Sequence, residues 1–236
     1  GEELVLTASI GLALYPNDGI TATDLMRCAE TAMYRVKHES RNSYSFYSPD
    51  MQERTARALQ LTNALKLAFA RHELRLVYQP QISLLDGHVT GAEALIRWRH
   101  PQLGDISPAE FIPLAENAGL GGQVGEWVLQ SVLSDLHAWH SQGIPLVKVA
   151  VNLSSVQFSE AGLTDKVRWQ LQQSGVSPEW VEFELTEIAA MKNPEQAAHT
   201  MSELSGMGLT LSIDDFGTGY SSLSHLKRFK VYKLKI

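Results

Sequence analysis

The chain of 236 residues has a single cysteine, Cys28, so it can form no intrachain disulfide and no thiolate metal cluster, a usage that fits a reducing compartment. Basic excess is missing too. Lys and Arg number 20 against 26 Asp and Glu, a net charge of −6, which argues against broad electrostatic binding to duplex nucleic acid or to an anionic membrane. Any phosphorylated ligand must then be held by local features. No apolar run is long enough to span a bilayer and nothing at the start resembles a signal peptide, so the segment is expected to be cytoplasmic and without membrane contact, whatever anchors a longer parent protein. No Gly/Ser-rich linker is present, so a join between units should be stiff. The eight histidines show no ligand spacing, and none is assigned to metal.

What the chain does contain is alternation of two periods. Leu4 to Tyr15 read as a strand, Thr21 as the cap of a helix, and Tyr44 to Tyr47 as a short strand, a unit too small to be a complete domain. Ser48-Pro49 opens a connecting helix. From Leu74 a strand to Ile82, a turn at Asp86-Gly87 and a strand Val89 to Trp98 form a hairpin. Ser107 to Glu110 has the capping-box pattern, leading into helices to about Asn117 and over Val124 to Trp139. Strand Val147 to Leu153, a helix from Gln157 to Gln173, strand Trp180 to Leu185, a helix from Asn193 to Met207, strand Leu209 to Ile213 and strand Phe229 to Ile236 complete the order.

The polar residues that stand out recur at strand ends. Asn152, Glu184 and Asp214 are spaced by roughly 30 residues, the size of a βα unit, and Glu93 adds a carboxylate within an apolar run. Parallel strands joined by helices put their carboxyl ends on one face, where such folds carry their chemistry. Four oxygen donors from four strands suit a hard cation, Mg²⁺ or Mn²⁺. Singly, Glu93 also reads as a paired core carboxylate, Asn152 as a capping amide, and Asp214-Asp215 as an acidic turn that caps a helix at Ser221 or Ser222. Asp214 and Asp215 can share a site only if the backbone breaks there, which Gly217 and Gly219 permit. Of Lys233 and Lys235, only one is expected to face the interior; of Arg97 and Arg99, one is expected to clamp a phosphate or stack on a base.

Tyr78-Gln79-Pro80, Glu93-Ala94-Leu95, Arg97 to Pro101, Ser107 to Ile112, Asn152-Leu153-Ser154, Glu184 to Glu187, Asp214 to Gly219 and Lys233 to Ile236 together resemble the EAL domain of bacterial cyclic di-GMP phosphodiesterases. The resemblance implies an α/β fold, a TIM-like (β/α) barrel with its first strand antiparallel, and hydrolysis of cyclic di-GMP to linear pGpG. It implies a site of two Mg²⁺ or Mn²⁺ ions with Glu93, Asn152, Glu184 and Asp214 as ligands and Asp215 on the second metal. Lys235 is similar to the lysine that orients or deprotonates the attacking water, Glu187 to the glutamate that steadies the Asp214–Gly217 loop, and Gln79 and Arg97 to substrate contacts. A homodimer through this domain is also expected.

Residues 1–48 resemble, more weakly, the carboxyl-terminal part of a GGDEF diguanylate cyclase domain, an α+β remnant that carries Asp24 to Tyr34, Lys37 and Arg41-Asn42 but not the namesake loop. Ser40 stands where that family usually has glycine. The expected organisation is therefore the GGDEF-like remnant over 1–48, the connecting helix over 49–72 and an EAL domain over 73–236 that stops within its sixth strand, before a further metal-binding glutamate and a glutamine. A non-catalytic cyclic di-GMP receptor is the alternative reading, and an interaction module that dimerises through the connecting helix is a third.

Overall fold

The structure is a computed structural model that describes residues 7–39, 42–217 and 229–236. Ser40, Arg41, Gly219, Ser221 and Ser222 lie outside the described residues. The chain divides into two compact units, Gly1–Leu67 and Ala68–Ile236. The division falls near the carboxyl end of a helix, Asp50–Ala68, and before residue 73, where sequence reasoning put the start of the second domain.

In the first unit, strand β1 (Ile10–Leu12) pairs in parallel with β2 (Tyr44–Phe46), and helix α1 (Ala22–Glu39) connects them. Thr21 caps α1 as expected, its Oγ1 accepting the amide of Asp24 at 3.2 Å. Gly11 is required here, because a Cβ at that position would lie 1.9 Å from the Ala29 carbonyl oxygen of α1. Helix α2 is the Asp50–Ala68 segment, with Asp50 and Glu53 in its first turn, favourable to the helix dipole.

The second unit is built on one seven-stranded sheet. Strands β3 (Leu74–Ile82) and β4 (Val89–His100) form an antiparallel hairpin, and β5 (Gly104–Ile106) pairs with the far end of β4. Gly87 at φ 74° turns the hairpin. Strands β6 (Lys148–Leu153), β7 (Val181–Thr186), β8 (Thr210–Asp214) and β9 (Lys233–Leu234) then follow β4 in order, every pair parallel. Helices α3 (Pro108–Asn117), α4 (Gly121–Ser141), α5 (Ser155–Phe158), α6 (Leu163–Ser174), α7 (Glu187–Met191) and α8 (Pro194–Gly206) make the connections. A first antiparallel strand followed by parallel strands with helical crossovers is the TIM-like arrangement of the EAL type.

Strict alternation along the strands sorts the side chains. Val149, Val151 and Leu153 of β6, Val181, Phe183 and Leu185 of β7, and Leu211 and Ile213 of β8 are buried apolar residues on one face. They meet the apolar stripe of helices such as α4, where Val124, Val128, Leu129, Val132, Leu133 and Leu136 are buried. The residues between them, Asn152, Glu182, Glu184, Ser212 and Asp214, point to the opposite face.

Three local expectations change. The helix placed over Gln157 to Gln173 is two helices, α5 and α6, separated at Gly162, whose φ of 84° cannot continue a helix. Ser107 starts α3 in an extended conformation followed by proline, but its side chain makes no capping bond, so the capping box there is not formed. The capping box instead stands at Ser154 and Gln157.

Candidate active site

Register determines which strand ends meet. Asn152 of β6 lies level with Glu184 of β7, Thr186 of β7 with Asp214 of β8, and Glu93 of β4 with Ala150 of β6. Asn152, Glu184 and Asp214 sit at or near the carboxyl ends of their strands, and Glu93, in the first half of the long β4, shares their face. Lys235 just follows β9, and its Nζ donates to Glu93 Oε2 at 3.3 Å, to Asp214 Oδ2 at 3.0 Å and to Glu184 Oε2. Asn152 Nδ2 donates to Glu93 Oε1 at 2.8 Å. The structure thus brings Glu93, Asn152, Glu184, Asp214 and Lys235 into one constellation, with the three ammonium protons shared among three carboxylates.

The electrostatics follow from burial. Glu184 is fully buried, and burial pushes its carboxyl above the usual range, opposed by its hydrogen bond and charge attraction to Lys235. Burial works to lower the Lys235 ammonium, but its bonds to Glu184 and Asp214 and their charges outweigh that and hold it above the usual lysine range. Oε1 of Glu184 is buried without a hydrogen-bond partner among the described residues. Among those residues no group of three or more His, Cys, Asp or Glu is drawn together tightly enough to form a metal cage; the carboxylates are arrayed around the ammonium.

Asp215 answers the geometric question raised by two adjacent carboxylates. The strand ends at Asp214, and Asp215 itself takes φ 54°, a left-handed conformation that breaks the alternation. Two ties hold the turn that follows. Glu187, buried at the start of α7 and placed there by the Thr186 cap, accepts the Gly217 amide on Oε2 at 2.7 Å. The Phe216 amide donates to the Lys235 carbonyl at 2.9 Å, so the acidic turn is bonded to the lysine strand through the backbone.

Gln79 and Arg97 flank the constellation from β3 and β4. Gln79 is exposed and directly opposite Glu93 in the antiparallel register. Arg97, half-buried, donates from its guanidinium to the Ile96 carbonyl at 2.9 Å and lines a cleft of ≈ 310 Å³ that also reaches Asn152, Ser154, Gln157 and Thr186. Among the described residues the carboxylates around Lys235 are paired with that lysine and not with Arg97, which belongs to the cleft rather than to their centre.

The expectation that only one of Lys233 and Lys235 faces the interior is corrected. Residues two apart on a strand share a face, and both lysines point inward. Lys233 Nζ lies 2.8 Å from Glu182 Oε1, 3.1 Å from Gln81 Oε1 and 3.8 Å from Glu184 Oε1, one layer below Lys235. Arg97 and Arg99 likewise share the face of Glu93 and differ in depth, Arg99 being exposed. Glu182, Ser212 and Gln157 were not anticipated as site neighbours; the signal for the first two was the same alternation that found Glu184.

The chain is similar to known proteins along its whole length. The EAL domain family matches residues 62–236, and the family described as diguanylate cyclase, GGDEF domain, matches residues 1–43. The bifunctional diguanylate cyclase/cyclic di-GMP phosphodiesterase MucR of Pseudomonas aeruginosa is 45% identical over 234 residues, 99% of this chain and 34% of that protein. The cyclic di-GMP phosphodiesterase PdeR of Escherichia coli is 36% identical over 99% of this chain and 35% of its own length. The chain therefore spans about a third of these curated relatives. The solved structure of the P. aeruginosa MucR phosphodiesterase in complex with c-di-GMP superposes with a TM-score of 0.72 at 45% identity, over 75% of this chain and 72% of that one. The FimX EAL domain from P. aeruginosa bound to c-di-GMP gives 0.66 at 28% identity, over 76% and 70%. With the family matched across most of its length and the strand-end constellation in place, the chain belongs to the EAL domain family.

Proposed function

We propose that the barrel unit hydrolyses cyclic di-GMP to linear pGpG with two divalent cations, Mg²⁺ or Mn²⁺. The observation that carries this reading is the convergence of Glu93, Glu184 and Asp214 on Lys235, with Asn152 bonded to Glu93, on one face of successive strands. EAL phosphodiesterases are metal-dependent as a class. The donor set here fits hard cations: it is all oxygen, and the buried Glu184 Oε1 has no hydrogen-bond partner among the described residues. Glu93, Asn152, Glu184 and Asp214 would hold one cation and Asp215 would engage the second. Such cations supply Lewis acidity and bring the pKa of water toward neutrality.

In the hydrolysis, water adds to phosphorus, the bond from phosphorus to the 3′ oxygen breaks, and that oxygen takes up a proton. Without a cation, Lys235 is held charged by its carboxylate partners Glu184, Asp214 and Glu93, which places its Nζ at the centre of the site. Its reach suits a bond to the attacking water or to a phosphate oxygen. Glu187 holds the turn that carries Asp215 through the Gly217 amide. Gln79 and Arg97 are assigned to the substrate, with one guanine end in the cleft between Arg97 and Asn152.

Turnover of cyclic di-GMP in Mg²⁺ or Mn²⁺ tests the reading. Glu93→Ala and Asp214→Asn are expected to lose about a hundredfold or more, the scale of several kcal/mol of transition-state charge stabilisation. Unchanged turnover in either variant refutes the ligand assignment. Binding of cyclic di-GMP by the unaltered protein with no turnover in either metal would favour the receptor reading. Homodimerisation through this domain rests on resemblance, cytoplasmic placement on the single cysteine and the absence of a long apolar run in the sequence, and the GGDEF remnant on the family match to residues 1–43; no helix among the described residues is long and apolar enough to cross a membrane.

A further inference from the structure

The wall of the Arg97 cleft depends on a residue outside the ligand set. Asn152 ends β6, and two residues later Ser154 begins a tight turn into α5. Gln157 closes that turn reciprocally: its amide N donates to Ser154 Oγ at 3.3 Å, and its side-chain Oε1 accepts the Ser154 amide at 3.2 Å. Gln157 is itself buried, 9% exposed, and both Ser154 and Gln157 line the cleft. The side chain reaches this position because α4 has no side chain where it arrives. A Cβ on Gly125 would lie 1.5 Å from Gln157 Nε2, 2.5 Å from its Cδ and 2.9 Å from its Oε1, so the whole carboxamide occupies the space a methyl group would need. Gly125 has no left-handed conformation to explain it; it is not among the glycines with positive φ, and it lies in the interior of a regular helix where glycine costs about 0.5–1 kcal/mol relative to alanine. The close approach is therefore what glycine serves at this position.

We propose that Gln157 is a positioning residue for the substrate cleft, seated in a notch formed by Gly125, and that it fixes the Asn152–Ser154 wall against which the guanine end of cyclic di-GMP is held. The inference rests on the proposed function. It assigns a binding role to two residues that touch neither the carboxylate constellation nor Lys235. Displacing the carboxamide releases the Ser154 amide and lets the turn after Asn152 relax, which weakens substrate binding more than it slows the chemical step.

A double-mutant cycle tests this. Cyclic di-GMP binding is measured by calorimetry in EDTA, and KM and kcat are measured in Mn²⁺, for Gly125→Ala, Gln157→Ala and the double variant. Gly125→Ala is expected to raise Kd and KM about tenfold with a smaller change in kcat, while the helix propensity of alanine opposes any loss of stability. Gln157→Ala is expected to give the same shift. Because the methyl group then has room, Gly125→Ala should add nothing in the Gln157→Ala background, which is the non-additivity of a direct contact. Unaltered Kd and KM in Gly125→Ala and Gln157→Ala, or shifts that simply add, would overturn the inference. Should Gln157→Ala fail to fold, Gly125→Ala alone still decides it, with unaltered binding as the contrary result. If the unaltered protein neither binds nor hydrolyses cyclic di-GMP, the proposed function falls and this inference falls with it; binding with equal affinity in all four proteins removes only the inference.

Discussion

Lys235 and Glu184 answer to pH in the same sense, each holding its proton more tightly in the folded state and so losing stability as pH rises. Lys235 is held above the ordinary lysine range, so its contribution to stability is complete below that range and is lost as pH rises through the higher folded value. Burial raises Glu184, so its ionisation costs stability above its folded value, and acidification removes that cost. Tyr78 offers a cleaner measurement because it stands away from the carboxylates. Its hydroxyl donates to Asp135 of α4, its ring meets Trp139 edge to face at 4.9 Å, and burial together with Asp135 pushes its phenol up. The stabilisation is full below pH about 10 and is lost as pH climbs past the unfolded value. Tyr78→Phe should cost about 1–3 kcal/mol at neutral pH by leaving Asp135 without its donor, and should make the alkaline fall in stability shallower. Urea melts at pH 7 and pH 10.5 check both; equal losses at the two values would refute it. Individual residues were legible where their type and place both signalled. Asn152, Glu184, Asp214 and Lys235 are polar residues at strand ends and Glu93 is a carboxylate within an apolar run, whereas Gln157 is an ordinary helix residue whose role depends on the absent side chain of Gly125, a contact between elements that spacing does not encode.

At the scale of elements, the short ones carry the site and were the hardest to read. Helix α7 has five residues and β5 has three, too few for a period to show, yet α7 presents Glu187 to the acidic turn. Long β3 and α4 stand close to where 2.0- and 3.6-residue periods place them. The single helix expected from Gln157 to Gln173 failed because apolar spacing carries across a break that Gly162 imposes on the backbone. The α7 contact makes a direct prediction. Glu187→Gln keeps an oxygen acceptor for the Gly217 amide but removes the charge, and Glu187→Ala removes both. Since charge-assisted bonds are roughly twice as strong as neutral ones, turnover should fall in the order unaltered, Gln, Ala, with Ala down about tenfold or more. Equal turnover in all three would show that the turn needs no brace from α7.

The whole barrel unit separates its functions by face. Apolar residues of β6, β7 and β8 hold the helices, and the alternate residues build a polar interior of two layers, Glu182, Ser212, Lys233 and Gln81 below and the Lys235 constellation above. Stability and chemistry are therefore separable by one step along a strand. Phe183, 1% exposed between Glu182 and Glu184, tests this: Phe183→Ala should cost about 3–5 kcal/mol of unfolding free energy, a large share of the 5–15 kcal/mol typical of a domain, while KM under conditions where the variant remains folded changes little. Denaturant midpoints beside kinetics at low temperature distinguish the two faces, and a KM shift as large as that of Gly125→Ala would refute the separation.

The backbone bond from Phe216 to Lys235 has a consequence in time as well as in space. The Lys235 amide donates to Ile213, the Phe216 amide to Lys235 and the Gly217 amide to Glu187, a closed circuit through β8, the acidic turn, β9 and α7. Each of these bonds ties one segment to another. Amide exchange at Phe216, Gly217 and Lys235 should share one opening free energy, and Glu187→Ala should accelerate all three together. The acids and the lysine thus keep a common clock.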